Sequence, residues 1–270
     1  MDSTKVVMEL SRERDFGVSC PVRTRYAILS SPRSGSTLLG RMLFETRMAG
    51  DPLEYLNTHL LPFERAQTGN GNLTYGDFIR GMERRRTSEN GVFGMKIHYH
   101  QLLSAFSRDK ASKAITTESL KRFIRGFDKL IWVRRRDRMR QAVSLAIARQ
   151  TQAWSSEENR AIRICDPSEV SPIECLRALS LVCNDDFGWE RLVKALNLDV
   201  HVIWYEDLTQ NYHEQSVNAM RHLGLDASIT KIPEPPIQRQ ASDLNEQVLD
   251  QFLTYLGLSE NSLSSLSNSC

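Results

Sequence analysis

Apolar residues cluster in short runs bounded by turn-forming residues, and these runs predict strands over 25–30, 91–98, 129–134 and 200–205. Between and after them, apolar positions recur at helical spacing over 36–48, 73–86, 116–126, 137–152, 173–196, 209–223 and 244–256. Strands alternating with helices at this interval predict βαβ units. The expected class is therefore α/β: a parallel sheet flanked by helices on both faces. A further short strand is expected near Met48–Asp51, and Ile232–Pro236 reads as a stiff linker before the last helix. The connections Leu56–Asn90 and Trp154–Pro172 are long for a compact domain, so they are expected to frame a binding site. The expected division is an N-terminal extension over 1–22, one domain over 23–258 and a Ser/Asn-rich tail over 259–270.

The first strand runs into Ser30-Ser31-Pro32-Arg33-Ser34-Gly35-Ser36-Thr37, and a helical pattern follows at once. Backbone N–H groups at such a turn converge on one spot, and the helix N-terminus adds partial positive charge there. Arg33, Ser34, Gly35, Ser36 and Thr37 are thus candidate ligands for a phosphate or sulfate. The turn is not a Walker A loop. That loop has Lys after its second Gly, whereas Ser36 follows Gly35 here. The plainer reading is a helix-capping turn with Ser36 or Thr37 as the cap.

A second basic cluster follows the third strand. Arg134-Arg135-Arg136 leads through Asp137, placed as an N-cap, into a helix that carries Ser144. Arg135 with Ser144 fits a phosphate monoester, and the run of three arginines leaves Arg136 as an alternative. A solvated basic surface is the rival explanation, and it suits Arg138 and Arg140.

Taken together, the two clusters resemble the phosphate-binding motifs of sulfotransferases that use 3′-phosphoadenosine 5′-phosphosulfate. Pro32-Arg33-Ser34-Gly35-Ser36-Thr37 is similar to their 5′-phosphosulfate loop, and Arg135 with Ser144 to their 3′-phosphate motif. Further segments are similar, in the same order, to the bacterial trehalose 2-sulfotransferase family: Ala49-Gly50-Asp51-Pro52-Leu53-Glu54-Tyr55, Gly91-Val92-Phe93-Gly94-Met95-Lys96, Gln141-Ala142-Val143-Ser144, Gln150-Thr151-Gln152-Ala153-Trp154 and Arg239-Gln240-Ala241. Nod-factor and lipopolysaccharide sulfotransferases look like relatives of that group. The resemblance spans residues 24–255. It implies a P-loop-like, sulfotransferase-type fold, 3′-phosphoadenosine 5′-phosphosulfate as donor, no metal, and a carbohydrate or glycolipid acceptor. It also implies that Arg239 and Gln240 contact the nucleotide. Monomer and homodimer both stay open.

Transfer to a hydroxyl needs a proton acceptor. The resemblance places the catalytic carboxylate at Glu54. His98 is the competing candidate, because Lys96-Ile97-His98 resembles the Lys-Thr-His segment of eukaryotic cytosolic sulfotransferases, in which the His is the base. The expectation is that Glu54 takes the proton and His98 positions the acceptor or the sulfuryl oxygens. Lys96 suits both groups as a stabiliser of charge on the transferring group, alongside Arg33. His100 and Gln101 read as pocket lining, and Trp154 as either a sugar-stacking or a packing residue. Tyr205-Glu206-Asp207-Leu208 reads as structural, with Asp207 as a cap and Glu206 paired to a buried cation. Arg84-Arg85-Arg86 reads as a solvated helix end.

Composition narrows the alternatives. Thirty-five basic against 33 acidic residues in 270 give a net charge of +2, too little for a dedicated nucleic-acid binder. The five cysteines are odd in number and form no Cys-x2-Cys pair, which predicts reduced thiols and a cytoplasmic protein without a zinc site. No apolar run is long enough to span a membrane, and the polar N-terminus carries no signal-peptide core. The alternative function is a P-loop-type nucleotide or small-molecule kinase, with Arg33 in place of the missing lysine; a catalytically dead phosphonucleotide-binding module is weaker still.

Overall fold

The computed structural model describes residues 3–17, 19–108, 117–154, 166–228, 231–235 and 243–259. They fall into two compact units, Met1–Arg136 with Asp185–Pro236, and Asp137–Asn184 with Ile237–Cys270.

The first unit is built on four parallel strands, β1 (Thr24–Ser30), β2 (Val92–His98), β3 (Lys129–Arg134) and β4 (His201–Trp204), in the order β2-β1-β3-β4. Alternation along β1 shows why both faces are covered. Ala27 and Leu29 enter one apolar cluster and Tyr26 and Ile28 the other, and all four are fully buried. On the first face lie α1 (Ser3–Leu10), α3 (Leu60–Thr68), α4 (Tyr75–Arg86), α5 (Tyr99–Arg108), α6 (Thr117–Ile124) and the C-terminal part of α8 (Pro172–Leu196), through residues such as Leu10, Leu60, Phe78, Leu102, Ile124 and Trp189. On the second lie α2 (Ser36–Glu45), α9 (Tyr205–Gln210) and α10 (Tyr212–His222), through Leu39, Met42, Leu208 and Met220. This is the expected α/β architecture.

The second unit is helical. Val143 and Ala146 of α7 (Arg138–Thr151), Cys175 and Val182 of α8, and Val248 and Phe252 of α11 (Asp243–Tyr255) share one core. Asp137 caps α7 as expected, accepting a hydrogen bond from the Arg140 N–H. Trp154 packs against this core, the plainer of its two readings.

The structure departs from expectation at several points. Residues 48–51 form no strand: Gly50 turns left-handed (φ +67°), and a Cβ there would lie 2.8 Å from the Val92 carbonyl oxygen and 2.9 Å from that of Arg86. Pairing at that edge of β2 shrinks to a single parallel bridge, Leu53 to Met95. The helix expected over 209–223 begins earlier and breaks at Asn211 into α9 and α10. Asp207 is not a cap, since Trp204 holds that position; it sits in the first turn of α9 and pairs with Arg136 at 2.7 Å. Glu206 accepts the Arg136 backbone N–H at the surface rather than meeting a buried cation. The largest change concerns Arg86, which is 0% exposed and bound to Asp51 at 2.5 Å and Asp15 at 2.9 Å, so α4 does not end in solvent. The expected extension contributes here: Arg14 also pairs with Asp51, and the α1 residues Val6 and Leu10 enter the core. Among the described residues Cys20, Cys175 and Cys183 are free thiols, and no helix is long and apolar enough to cross a membrane.

Candidate active site

Strand order decides where a site can form. The chain leaves β1 for β2 on one side, then returns past β1 to place β3 on the other. The connections thus diverge at the C-terminal ends of β1 and β3, where open α/β sheets bind ligands. The Ser30–Thr37 turn, the end of β2 and the Arg134–Arg136 segment all belong to this edge.

The turn is held in a shape that only particular residues adopt. Arg33 has φ +60° and Gly35 φ +92°, the latter serving as N-cap of α2 with no side-chain cap from Ser36 or Thr37. A Cβ on Gly35 would lie 2.6 Å from Cδ2 of Tyr205, so glycine is required twice over. Ser34 is buried, and its Oγ has no hydrogen-bond partner among the described residues. An orphaned hydroxyl beside helix-terminal N–H groups is what an incoming oxyanion would satisfy. The turn carries no lysine of its own. Its ammonium comes from β2, where Lys96 Nζ donates to Thr37 Oγ1 at 2.8 Å.

Lys96 also meets Glu54, 2.9 Å from Oε1. His98 Nε2 lies 3.3 Å from the same oxygen, and Gln101 Nε2 donates to Oε2 at 2.7 Å. Burial would raise the Glu54 pKa, but the charges of Lys96 and His98 and the hydrogen bonds from His98 and Gln101 outweigh it and hold Glu54 well below the usual carboxylate range. On its other side, His98 Nδ1 lies 3.0 Å from Ser30 Oγ. An ionised Glu54 can only accept, so Nε2 carries a proton toward it, while Nδ1 lies between the Ser30 hydroxyl and the Ser30 carbonyl oxygen, 3.3 Å away. Trp189 Nε1 donates to the Ser30 carbonyl at 2.9 Å, and Ser31 Oγ to Asp186 at 3.0 Å, fixing the start of the turn.

The remaining residues named from sequence are placed as follows. Arg135 donates to the Arg33 carbonyl at 3.4 Å, and its guanidinium lies 4.5 Å from the Tyr205 ring centroid. Arg136 turns instead to Asp207 and Glu206. Ser144 is buried on α7 of the second unit. Arg239 and Gln240 lie outside the described residues. Sequence reading underrated His100. Its Nδ1 lies 2.7 Å from Oδ2 of the buried Asp185, and its ring stacks on His98 with centroids 5.8 Å apart. The alternation Lys96, His98, His100 was the available signal. Among the described residues no group of three or more His, Cys, Asp or Glu could hold a metal ion.

Residues 25–254 match the family model described as Stf0 sulphotransferase. The chain is 26% identical over 260 residues to the trehalose 2-sulfotransferase of Mycolicibacterium smegmatis, covering 85% of this chain and 94% of that one. It is 24% identical over 258 residues to the trehalose 2-sulfotransferase of Mycobacterium tuberculosis, covering 84% and 93%. Among solved structures, a sulfotransferase from Alicyclobacillus acidocaldarius aligns with a TM-score of 0.44 at 13% identity, covering 89% of this chain and 98% of that one.

Proposed function

Because the chain belongs to the Stf0 sulphotransferase family, we propose that it transfers the sulfuryl group of 3′-phosphoadenosine 5′-phosphosulfate to a hydroxyl of a carbohydrate or glycolipid. One observation carries the reading: a single ammonium, Lys96, touches both the anion-binding turn at Thr37 and the candidate base Glu54. A group held by the turn and a hydroxyl approaching Glu54 would meet beside that charge. The carbohydrate acceptor is supported by the two trehalose 2-sulfotransferases that match along most of the chain. Family membership also favours sulfuryl over phosphoryl transfer, which sets the kinase alternative aside.

In this reading Arg33, Ser34, Gly35, Ser36 and Thr37 hold the 5′-phosphosulfate, and Arg135 meets the 3′-phosphate. The acceptor oxygen bonds to sulfur as the sulfur–oxygen bond to the phosphate breaks, and the acceptor's proton passes to Glu54. Lys96 and Arg33 offset charge on the transferring group. Positioning and electrostatics supply most of the acceleration, by analogy with phosphoryl transfer. His98 already faces Glu54 through Nε2 and Ser30 through Nδ1, so it suits positioning better than proton abstraction.

Calorimetry tests the donor. Adenosine 3′,5′-bisphosphate should bind and raise the melting temperature, while ATP with Mg²⁺ should not. Arg135→Ala should weaken the bisphosphate by about 2 kcal/mol, the usual value of a hydrogen bond to a charged group, and leave adenosine 5′-phosphosulfate unchanged. Equal losses on both ligands would remove Arg135 from the 3′-phosphate, and preference for ATP would return the kinase reading.

A further inference from the structure

The two sides of the site differ in what they lack. The turn side is rich in donors: backbone N–H groups, Arg33, the orphaned Ser34 hydroxyl and Lys96. The α5 side is rich in acceptors without donors. Gln101 Oε1 is buried with no hydrogen-bond partner among the described residues, while its amide N–H donates to Glu54. His100 adds a second. A carboxylate only accepts, so the 2.7 Å contact to Asp185 puts a proton on Nδ1, and in the neutral imidazole Nε2 is then the acceptor. Asp185 also accepts the His100 backbone N–H at 2.9 Å, which fixes the ring against rotation. This is the orienting geometry a carboxylate gives a histidine that must present one nitrogen. His98 is enclosed with both nitrogens engaged, whereas the His100 side chain is 36% exposed.

We propose that His100, oriented by Asp185, accepts a hydrogen bond from a second hydroxyl of the acceptor, next to the one that receives the sulfuryl group. The proposal rests on the carbohydrate reading above and narrows it to substrates bearing at least two neighbouring hydroxyls. Glu54 and His100 belong to one wall, joined through His98, which contacts the first and stacks on the second. A simple alcohol serves one of these acceptors and strands the other. A sugar serves both. A site built to hydrogen-bond a substrate hydroxyl discriminates against an analogue lacking it, because the protein group is left unpaired. His100 takes no proton in the transfer step; it fixes which hydroxyl faces Glu54.

The test uses the full chain with labelled donor on trehalose and on the methyl glycosides of glucose, galactose and mannose. The best of these is then compared with its monodeoxy analogues. Removing the sulfated hydroxyl abolishes product, and removing one neighbour is expected to lower kcat/KM about 10-fold or more. His100→Phe keeps the stacked ring but loses the acceptor nitrogen. It should cost a similar factor on the parent sugar and erase the difference between parent and neighbour-deoxy analogue. His100→Gln, which places an oxygen near the Nε2 position, should restore part of that difference. Melting temperature and bisphosphate affinity check that the variants are folded, and Asp185→Asn, which frees the tautomer, provides a second variant acting in the same direction. A neighbour-deoxy penalty of equal size in wild type and His100→Phe overturns the proposal. If the bisphosphate binds but no sugar is sulfated, the carbohydrate reading itself fails.

Discussion

Asp51 and Glu54 lie three residues apart on one segment, and each is a carboxylate facing cations. Asp51 is held by two guanidinium groups, with Arg14 reaching Oδ2 at 2.8 Å and Oδ1 at 2.5 Å and Arg86 reaching Oδ2 at 2.5 Å. Both partners are planar forks of constant charge, and Arg86 is further fixed by Asp15 and by the Ser11 carbonyl at 2.8 Å. Such a set has one arrangement. Glu54 meets an ammonium, an imidazole and an amide, and its side chain remains 21% exposed. Lys96 is a point charge on a flexible stem and already shares itself with Thr37, so it can follow charge that develops nearby. A carboxylate locked by arginines holds the fold; one leaning on a lysine can exchange partners.

Breaking the Asp51 side should give the largest effect. Arg86→Met leaves the buried Asp51 carboxylate short of a partner and leaves Asp15 with Arg85 alone, at a cost of about 3–5 kcal/mol in urea-denaturation stability. Bisphosphate affinity and kcat of the folded fraction should change little. Normal stability in this variant would mean that the network is replaceable.

On the other side the expected loss is catalytic. Glu54→Gln keeps the shape and removes the proton acceptor, so kcat should fall about 10²-fold or more while bisphosphate affinity and melting temperature hold. His98→Asn should cost less, or act through KM. Reversal of these two outcomes would move the base to His98.

The smallest effect sharpens the electrostatics. Glu54 accepts a proton only when ionised, so activity should fall with decreasing pH only below the ordinary glutamate value of 4.5. Lys96→Met removes the largest of the influences that lower this pKa. Whatever it does to the maximal rate, the acid limb of log kcat against pH should move to higher pH. An unmoved limb would show that Lys96 does not set the charge state of Glu54.

Much of this contrast was legible in the sequence only on one side. The turn from Arg33 to Thr37, Glu54, Lys96 and His98 stand out because each lies at the end of a strand or after a turn signal, and the structure links them through Lys96 and Glu54. The strands were legible for the same reason: four apolar runs bounded by breakers. The Asp51 network was not, because Arg14, Arg85 and Arg86 sit in polar stretches whose local pattern reads as solvent-facing. Only the tertiary contact of α4 with the segment after α1 buries them. Missed helices had local causes too. Pro62 in the first turn of α3 looks like a breaker although the first turn tolerates it, and α5 begins directly after His98 with no punctuation between periods of 2 and 3.6. His100 was undervalued because its partner Asp185 is 85 residues away.

Tyr205 makes the candidate site a gauge. One edge of its ring stands where a Cβ on Gly35 would be, 2.6 Å from that position, and the Arg135 guanidinium lies 4.5 Å from the ring centre. One aromatic ring therefore stands between the glycine of the first turn and the arginine of the second cluster. Swapping Gly35 for a larger residue would displace the ring and carry Arg135 with it, and trimming Tyr205 would let the two draw together. The molecule thus holds a caliper whose opening is set by a phenol.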